Sequence, residues 1–493
     1  NINMNLSCYL ISIFILAGGY LRAQNQAANW VFGDSALLSF SDLTISADTV
    51  NFVIAQEASA SISDTSGNLL FYTDGKYVWN RNQELMPNGC CLDIDQYWDE
   101  ASSVTQGAII LPRSGYNNQY YIFLLSIEGI SYNIIDMNLD GGMGDISVKN
   151  QVVIIDTLTE KMTAVQHGNG RDWWLIVHKD GVTDSTDLFY KVLITPDGVT
   201  VFTQNTGVKR DGPNQGQMVF SPEGDKIALA DKQGLEILDF DRCLGVLTPH
   251  FFIPIDSISS EMLYGCSFSP DGTKLYVSSL GTGDFSKIYQ YCFNCNEPFL
   301  ESKKNVFELV VEMPFFPLFC IGQLTPGPDG KIYFVISYTE GPNPGFCSYN
   351  MNLSTIEYPN EEGIACTIDT NSVYLNGRRT ILGLPNFPNY ILGPLTGSEC
   401  DTIVVGINIE EINNFNVYPN PTNGFVYFDV ENNYDQFHLT ITNLLGTIII
   451  DEEINNLSST QFSVDLSDYG TGVYLYKLSL NDGKIFIGKV LKY

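Results

Sequence analysis

The sequence predicts an all-β chain: a seven-bladed β-propeller followed by a small immunoglobulin-like β-sandwich. Three observations predict it. A turn bearing glycine, followed by an apolar strand, recurs through the middle of the chain at intervals near fifty residues. Short β-branched and aromatic runs broken by Gly, Pro, Asn and Asp fill most of the remainder, with no long amphipathic helix. The C-terminal stretch, 416–493, packs several such runs into one short segment.

The repeat is read directly. Its copies are S-D-T-S-G-N-L-L-F-Y-T at 63–73, S-G-Y-N-N-Q-Y-Y-I-F-L-L at 114–125 and G-N-G-R-D-W-W-L-I-V at 168–177. S-P-E-G-D-K-I-A-L-A at 221–230, S-P-D-G-T-K-L-Y-V at 269–277 and T-P-G-P-D-G-K-I-Y-F-V-I at 325–336 follow. The marker glycines 67, 115, 170, 224, 272 and 330 are 48, 55, 54, 48 and 58 residues apart. A period of about fifty with several strands per unit is the mark of a propeller. Residues 25–392 hold seven such units, of which six show the marker turn. The seventh is expected to be composite, with Trp30–Phe40 joining strands from Thr380–Ile391, because joined ends protect sheet edges. The alternative architecture is two stacked β-sandwiches. Residues 393–415, with Gly393-Pro394 and Thr396-Gly397-Ser398, read as a linker.

In the tail, Phe425, Tyr427 and Asp429 alternate with Val426, Phe428 and Val430. Gly472 precedes Val473-Tyr474-Leu475-Tyr476-Lys477-Leu478, and turn clusters at Pro419–Gly424, Asn455-Asn456 and Asn481-Asp482-Gly483 separate the runs. Six or seven short strands of this kind make a small sandwich.

At the other end, Met4 is read as the start, and an apolar run from Tyr9 to Ala17 leads to Leu21-Arg22-Ala23-Gln24. Residues 1–23 therefore resemble a signal peptide cut after Ala23. No other stretch is long and apolar enough for a membrane helix. The net charge is −31, from 56 acidic and 25 basic residues. That balance argues against nucleic acid and against anionic lipid as partners, since both need a basic footprint. It suits a soluble exported protein, with cation binding as the sharper alternative. Cys8 lies in the leader, and the other ten of the eleven cysteines suggest disulfides in an exported protein. Cys243 and Cys266 are the expected bridge, Cys90-Cys91 pair with each other or with separate partners, and Cys292-Phe-Asn-Cys295 supplies only half a zinc site.

The tail has a recognisable wording. N-V-Y-P-N-P-T-N-G-F-V-Y-F from Asn416, I-T-N-L-L-G at 441–446, D-L-S-D-Y-G-T-G-V-Y-L-Y-K-L at 465–478 and the closing K-V-L-K-Y resemble the type A C-terminal sorting domain of type IX secretion cargo in Bacteroidota. The motif positions are Tyr418, Pro419, Asn420, Pro421, Gly424, Gly446, Gly472 and Tyr474. The resemblance implies handling of residues 416–493 by the type IX machinery, removal by its sortase, and attachment to surface lipopolysaccharide or release. N-W-V-F-G at 29–33, E-A-S-A-S-I-S-D-T-S-G-N-L-L-F-Y-T-D-G-K-Y-V-W-N at 57–80, S-S-V-T-Q-G-A-I-I-L-P at 102–112, D-F-D-R-C-L-G at 239–245 and G-L-P-N-F-P at 383–388 resemble a group of Bacteroidota surface propellers. That group implies fold and location, with no activity to carry over.

Candidate sites are few. Asp136, Asn138 and Asp140, followed by Gly141, begin a calcium loop, but its twelfth position is Ser147 where a bidentate acid is needed. The competing reading is a Gly-rich connection. Calcium is the one cofactor this loop suggests. Asp93, Asp95 and Trp98 form an acidic and aromatic cluster able to hold a sugar. Trp173 and Trp174 point to opposite faces of a strand, so Trp174 is a further ligand-binding candidate. His167 and Arg171 are placed near the channel by analogy of fold alone. The sequence has no G-x-S-x-G elbow and no H-E-x-x-H helix; Gly265-Cys-Ser267-Phe-Ser269 misses the elbow's last glycine. No catalytic residues are nominated. The expectation is an exported, non-catalytic binding or adhesion module for a glycan or protein ligand. The alternatives are a structural surface or gliding component and a secreted hydrolase.

Overall fold

A computed structural model gives the architecture. It describes residues 25–41, 44–92, 103–126, 128–212, 214–255, 262–280, 285–310, 319–340, 343–401, 415–430, 436–443, 448–455, 461–480 and 485–493. The chain divides into two compact units, one ending at Thr402 and one beginning at Ile403.

Among the described residues the first unit holds seven sheets, one per blade. Blade 1 pairs Asn29–Phe40 with Ile45–Ala55. Blade 2 is Ala60–Ser63, Leu69–Thr73 and Val78–Asn80. Blade 3 is Ala108–Pro112, Gln119–Ser126, Gly129–Asp136 and Asp145–Ile155. Blade 4 is Leu158–Gln166, Trp173–Lys179, Gly181–Thr195 and Gly198–Gly212. Blade 5 is Met218–Phe220, Lys226–Asp231, Gly234–Asp241 and Val246–Pro254. Blade 6 is Leu263–Phe268, Lys274–Ser279, Phe285–Cys292 and Lys304–Val310. Blade 7 is Phe319–Pro326, Ile332–Glu340, Asn352–Ile356 and Ile368–Tyr374, with the short Asn343–Pro344 beside it. Every pairing is antiparallel, and each blade from 2 to 7 begins with its inner strand.

All six marker glycines fall in the turn between the first and second strands of blades 2 to 7. Their φ values run from +69° at Gly272 to +87° at Gly67, a region that suits glycine. The repeat therefore marks one turn on one end of the ring.

The core is a closed circle of packing between blades, set by strand alternation. Ile227 and Leu229 pack with blade 4, while Ala228 and Ala230, between and beside them, pack with blade 6. Trp30 packs with blade 7 and Val31 with blade 2. Because both faces of a blade are covered, inner strands read as nearly continuous apolar runs.

Ring closure falls where expected but takes a different form. Asp34 makes one bridge to Arg379, with its N–H donating to the Arg379 carbonyl at 3.0 Å. Beyond it, residues 380–391 form no strand. Their backbone is stitched in singly: Gln323 N donates to Leu382 O (3.0 Å), Leu382 N to Gln56 O (3.0 Å) and Asn386 N to Ser59 O (3.1 Å). This segment links blade 7 to blade 2. Pro385 and Pro388 interrupt the donors a full strand needs.

The residues expected as linker are held to the propeller as far as Asp401. Gly393 N donates to Gln166 Oε1 (2.7 Å), Leu395 N to Gly168 O (2.8 Å), and Cys400 is disulfide-bonded to Cys243. This corrects the expected Cys243–Cys266 bridge. Cys266 lies on the inner strand of blade 6, fully buried, with Gln217 O 3.5 Å from its sulfur. Cys243 lies in an outer turn of blade 5, a blade's width away. Cys292 and Cys295 bond to each other, so their sulfurs are not zinc thiolates. Cys90, Cys91, Cys266, Cys320, Cys347 and Cys366 are free, against the expectation that all ten would pair. The Cys90 and Cys91 sulfurs lie 2.9 Å apart.

The second unit is a sandwich. One sheet orders Phe415–Tyr418, Phe425–Val430 and Gln461–Asp465; the other orders Ile448–Asn455, Gln436–Asn443, Gly472–Leu480 and Ile485–Lys492. Val426 and Phe428 point into a core with Leu439, Ile441, Val464 and Leu478, while Phe425 and Tyr427 point out.

Candidate functional site

Two sets of residues line the two ends of the propeller channel. At the turn end, the inner strands finish in the repeated prolines Pro222, Pro270 and Pro326, with Phe220 and Phe268 just before the first two. Together with Asn386–Asn389 and Ile391 they enclose a cavity of about 220 Å³. None of its lining residues is charged. Its polar groups are largely committed within the wall: Asn386 Nδ2 donates to Met162 O (2.9 Å), Asn389 Nδ2 to Pro222 O (3.0 Å), and Ser269 Oγ to Asp271 (2.6 Å). Proline rings, phenylalanines and the aliphatic side chains of Ala27, Ala164, Val165, Val219 and Ile391 supply most of the rest of the surface.

Glutamines cross the channel between its ends. Gln106 exchanges hydrogen bonds with Met218, donating at 3.0 Å and accepting at 2.8 Å. Gln217 does the same with Leu324, at 3.2 and 2.9 Å, and also accepts from Cys266 N at 3.0 Å. Gln323 donates to Thr105 O and accepts from Leu384 N. The first two reach past one blade, from 3 to 5 and from 5 to 7, and the third past two, from 7 back to 3. All three are buried.

At the opposite end, where inner strands begin, blades 2, 4 and 6 contribute Glu57, Glu160 and Tyr264. Thr105 lies among them; its N–H and Oγ1 both donate to Glu160 Oε2, at 3.0 and 2.7 Å. Glu57 is 9% exposed and Tyr264 1%, and neither Glu57 Oε2 nor the Tyr264 hydroxyl has a hydrogen-bond partner of good geometry. Burial first, then the charge of Glu160, pushes the Glu57 carboxyl up to about 8, although Thr105 and Tyr264 beside it favour ionisation. Burial, then Glu57, raises the Tyr264 phenol well above its ordinary value.

A separate ionic cluster lies between blades 4 and 5. Arg210 Nε meets Asp231 Oδ2 and its Nη1 meets Glu236 Oε2, each at 2.7 Å, with the Lys161 ammonium 3.7 Å from Asp231. Lys161 also donates to Asn214 O (2.7 Å) and Gln215 O (3.0 Å), and burial holds its pKa down at about 8. Burial would raise Asp231, but Lys161 and Arg210 hold it below its ordinary value. His178, fully buried edge-on to Phe189 at 4.6 Å, makes no hydrogen bond of good geometry through either ring nitrogen. Burial and the charges of Arg210 and Lys161 push it down to about 3.

The sequence candidates fare unevenly. Asp93, Asp95 and Trp98 lie outside the described residues. Trp174 is 4% exposed, packs between blades 4 and 5 and donates from Nε1 to Arg242 O at 3.0 Å. It offers a ligand no free face, which corrects that candidate; Trp173 is equally buried on the other side. His167 bonds to Cys243 O (3.0 Å) and Arg171 pairs with Asp172 (2.8 Å), both at the turn end. Asp136 uses its carboxylate as a turn: Oδ1 accepts from the Asn138 N–H and side chain (both 2.9 Å) and Oδ2 from Gln119 (2.9 Å). Asp140 sits in a 3₁₀ turn at φ +49°. Among the described residues, no group of three or more His, Cys, Asp or Glu converges to hold a metal.

The tail motif is brought together. Asn420 donates to Lys489 O (2.7 Å) and accepts from Leu491 N (2.9 Å), and Thr422 N donates to Leu491 O (2.8 Å). The Tyr418–Gly424 stretch is thereby tied to the last strand. Gly424 packs on Ser467, Gly472 opens its strand, and the Tyr474 hydroxyl donates to Gly470 O (2.6 Å). Gly446 lies outside the described residues.

Comparison with known proteins agrees with this tail. Residues 416–492 match the secretion system C-terminal sorting domain. The chain therefore carries a type IX sorting domain, is handled by the type IX machinery, and is exported to the cell surface or beyond. No curated protein matches the chain. Similar solved structures include a candidate 6-phosphogluconolactonase of Bacteroides uniformis, 13% identical, covering 64% of this chain and 94% of that one at a TM-score of 0.38. A Lactobacillus plantarum protein is 13% identical, with coverages of 64% and 92% and a TM-score of 0.39. Hsv2 of Kluyveromyces lactis is 13% identical, with coverages of 67% and 90% and a TM-score of 0.35. At these values no chemistry transfers. Among the described residues no helix is long and apolar enough to cross a membrane.

Proposed function

We propose that the propeller is a non-catalytic binding module, and that its turn-end mouth takes an uncharged group of a glycan or protein ligand. The observation that supports this is the cavity of about 220 Å³ walled by proline and phenylalanine rings, with no charged residue in its lining. Flat apolar walls pack against the apolar face of a neutral sugar or an uncharged side chain, and repeated turns place such walls around one mouth. The leader at 1–23 would start export. The sortase would remove the tail, leaving the propeller attached through lipopolysaccharide or released.

The test is a glycan and peptide array probed with the full chain and with Ile391→Glu. Ile391 lines the mouth and is 41% exposed, so the variant should fold. Binding weakened at least tenfold by the new charge supports the reading. Equal binding by both proteins moves the ligand elsewhere, and turnover of a bound glycan replaces the binding module with a hydrolase.

A further inference from the structure

We propose that the strand-start end of the channel is a site for a hard divalent cation, calcium, held by Glu57 and Glu160 with the Tyr264 hydroxyl as a third oxygen. The site is distinct from the Asp136 loop and from the turn-end mouth.

Three inner-strand starts, from blades 2, 4 and 6, bring these groups to one place. Glu57 Oε2 and the Tyr264 hydroxyl are buried beside each other and beside Thr105, and neither makes a hydrogen bond of good geometry. A buried polar atom left unpaired costs about 1–3 kcal/mol, so two neighbouring oxygens that form no good bond with each other leave room for a shared partner. The oxygens present are carboxylate and hydroxyl, the donor set of calcium or magnesium rather than of a soft metal. Calcium, which tolerates irregular coordination and completes its shell with water, fits three protein groups on separate strands better than magnesium's rigid octahedron.

No protein cation fills this place. Lys161 follows Glu160 on the same strand, so its side chain points to the other face. There it donates to Asn214 O and Gln215 O and faces Asp231. Thr105 is the positioning residue: its two donations to Glu160 Oε2 fix one carboxylate oxygen and leave the other free to turn toward the channel. Glu160 is only half-buried, which gives a cation a path from solvent.

The experiment is calcium titration of the full chain by calorimetry at physiological salt, with thermal unfolding in calcium and in chelator. One saturable site is expected, in the 0.1–1 mM range of about 10⁻⁴–10⁻³ M found for extracellular modules. The melting temperature should rise by a few degrees at 10 mM calcium. Glu57→Gln should weaken binding at least tenfold, and Tyr264→Phe, which removes one oxygen and keeps the packing, should weaken it severalfold. Asp136→Asn should leave it unchanged. No saturable binding by the native chain overturns the proposal. So does binding that survives Glu57→Gln and Tyr264→Phe intact, or that is lost in Asp136→Asn, which assigns the ion to the loop of blade 3.

Discussion

His178→Leu should make the propeller more resistant to acid. In the folded chain, burial and then the charges of Arg210 and Lys161 hold the imidazole at about 3, against about 6.5 in an unfolded chain. The unfolded chain therefore takes the proton first. Stability owed to the neutral imidazole is complete above pH 6.5 and drains away as the pH falls toward 3. The loss is about 1.4 kcal/mol per pH unit, so about 2 kcal/mol at pH 5. Leucine has a similar volume, and because neither ring nitrogen makes a hydrogen bond of good geometry it forfeits little at pH 7. The assay is thermal unfolding of the native and variant chains from pH 8 to 4.5. A unit of this size unfolds with an entropy of about 0.8 kcal/mol/K, so the two melting temperatures should differ by about 2–3 °C at pH 5. The carboxylates titrate in both proteins and cancel in the difference. Parallel curves over the whole range would refute the reasoning, as would a gap that opens on the alkaline side.

Gln217→Ala removes three hydrogen bonds and leaves two buried N–H groups and one carbonyl unpaired. With water refilling part of the channel, a loss of about 3 kcal/mol is expected, seen as a melting temperature about 4 °C lower. Arg210→Met strands Asp231 and Glu236 without their shared partner and should cost about 3–5 kcal/mol at pH 7, with the difference shrinking in acid as the carboxylates protonate. Cys400→Ser should expose residues 393–401 to protease and lower stability by about 2–4 kcal/mol, and added reductant should reproduce both effects in the native chain. Deleting 416–493 should leave the protein in the periplasm by cell fractionation; surface exposure of the truncated chain would contradict the sorting role.

What the sequence showed depended on whether the signal was local. The marker turns were legible because left-handed backbone selects glycine six times in the same setting, from Gly67 to Gly330. The tail was legible because Tyr418–Gly424 must meet the last strand in fixed register. Cys243 was assigned the wrong partner because separation along the chain says little about distance across blades; Cys400 is 157 residues away and adjacent in space. Trp174 drew attention as a rare residue, yet alternation along a strand covered on both faces makes it packing. The channel groups were missed for a different reason. Glu57, Glu160 and Tyr264 meet only when alternate blades are laid around a ring, and each looks ordinary among its neighbours. One signal was available: Gln106, Gln217 and Gln323 each stand beside a glycine in or just before an inner strand, 111 and 106 residues apart, twice the repeat.

That doubled spacing has a mechanical consequence. Three glutamines that reach past one or two blades close the channel to through-traffic and tie blades 3, 5 and 7 together. On the inner strand of blade 4, Glu160 and Val165 are five residues apart, about 16 Å at strand rise, beyond the 7–10 Å within which substitutions couple. A cation at one end and an uncharged ligand at the other should therefore bind independently. The double variant Glu57→Gln, Ile391→Glu should show each single defect undiminished, with the affinity of the turn-end ligand the same in calcium and in chelator. A ligand affinity that shifts with calcium would require the glutamine bridge to move, and Gln217→Ala should then abolish that coupling.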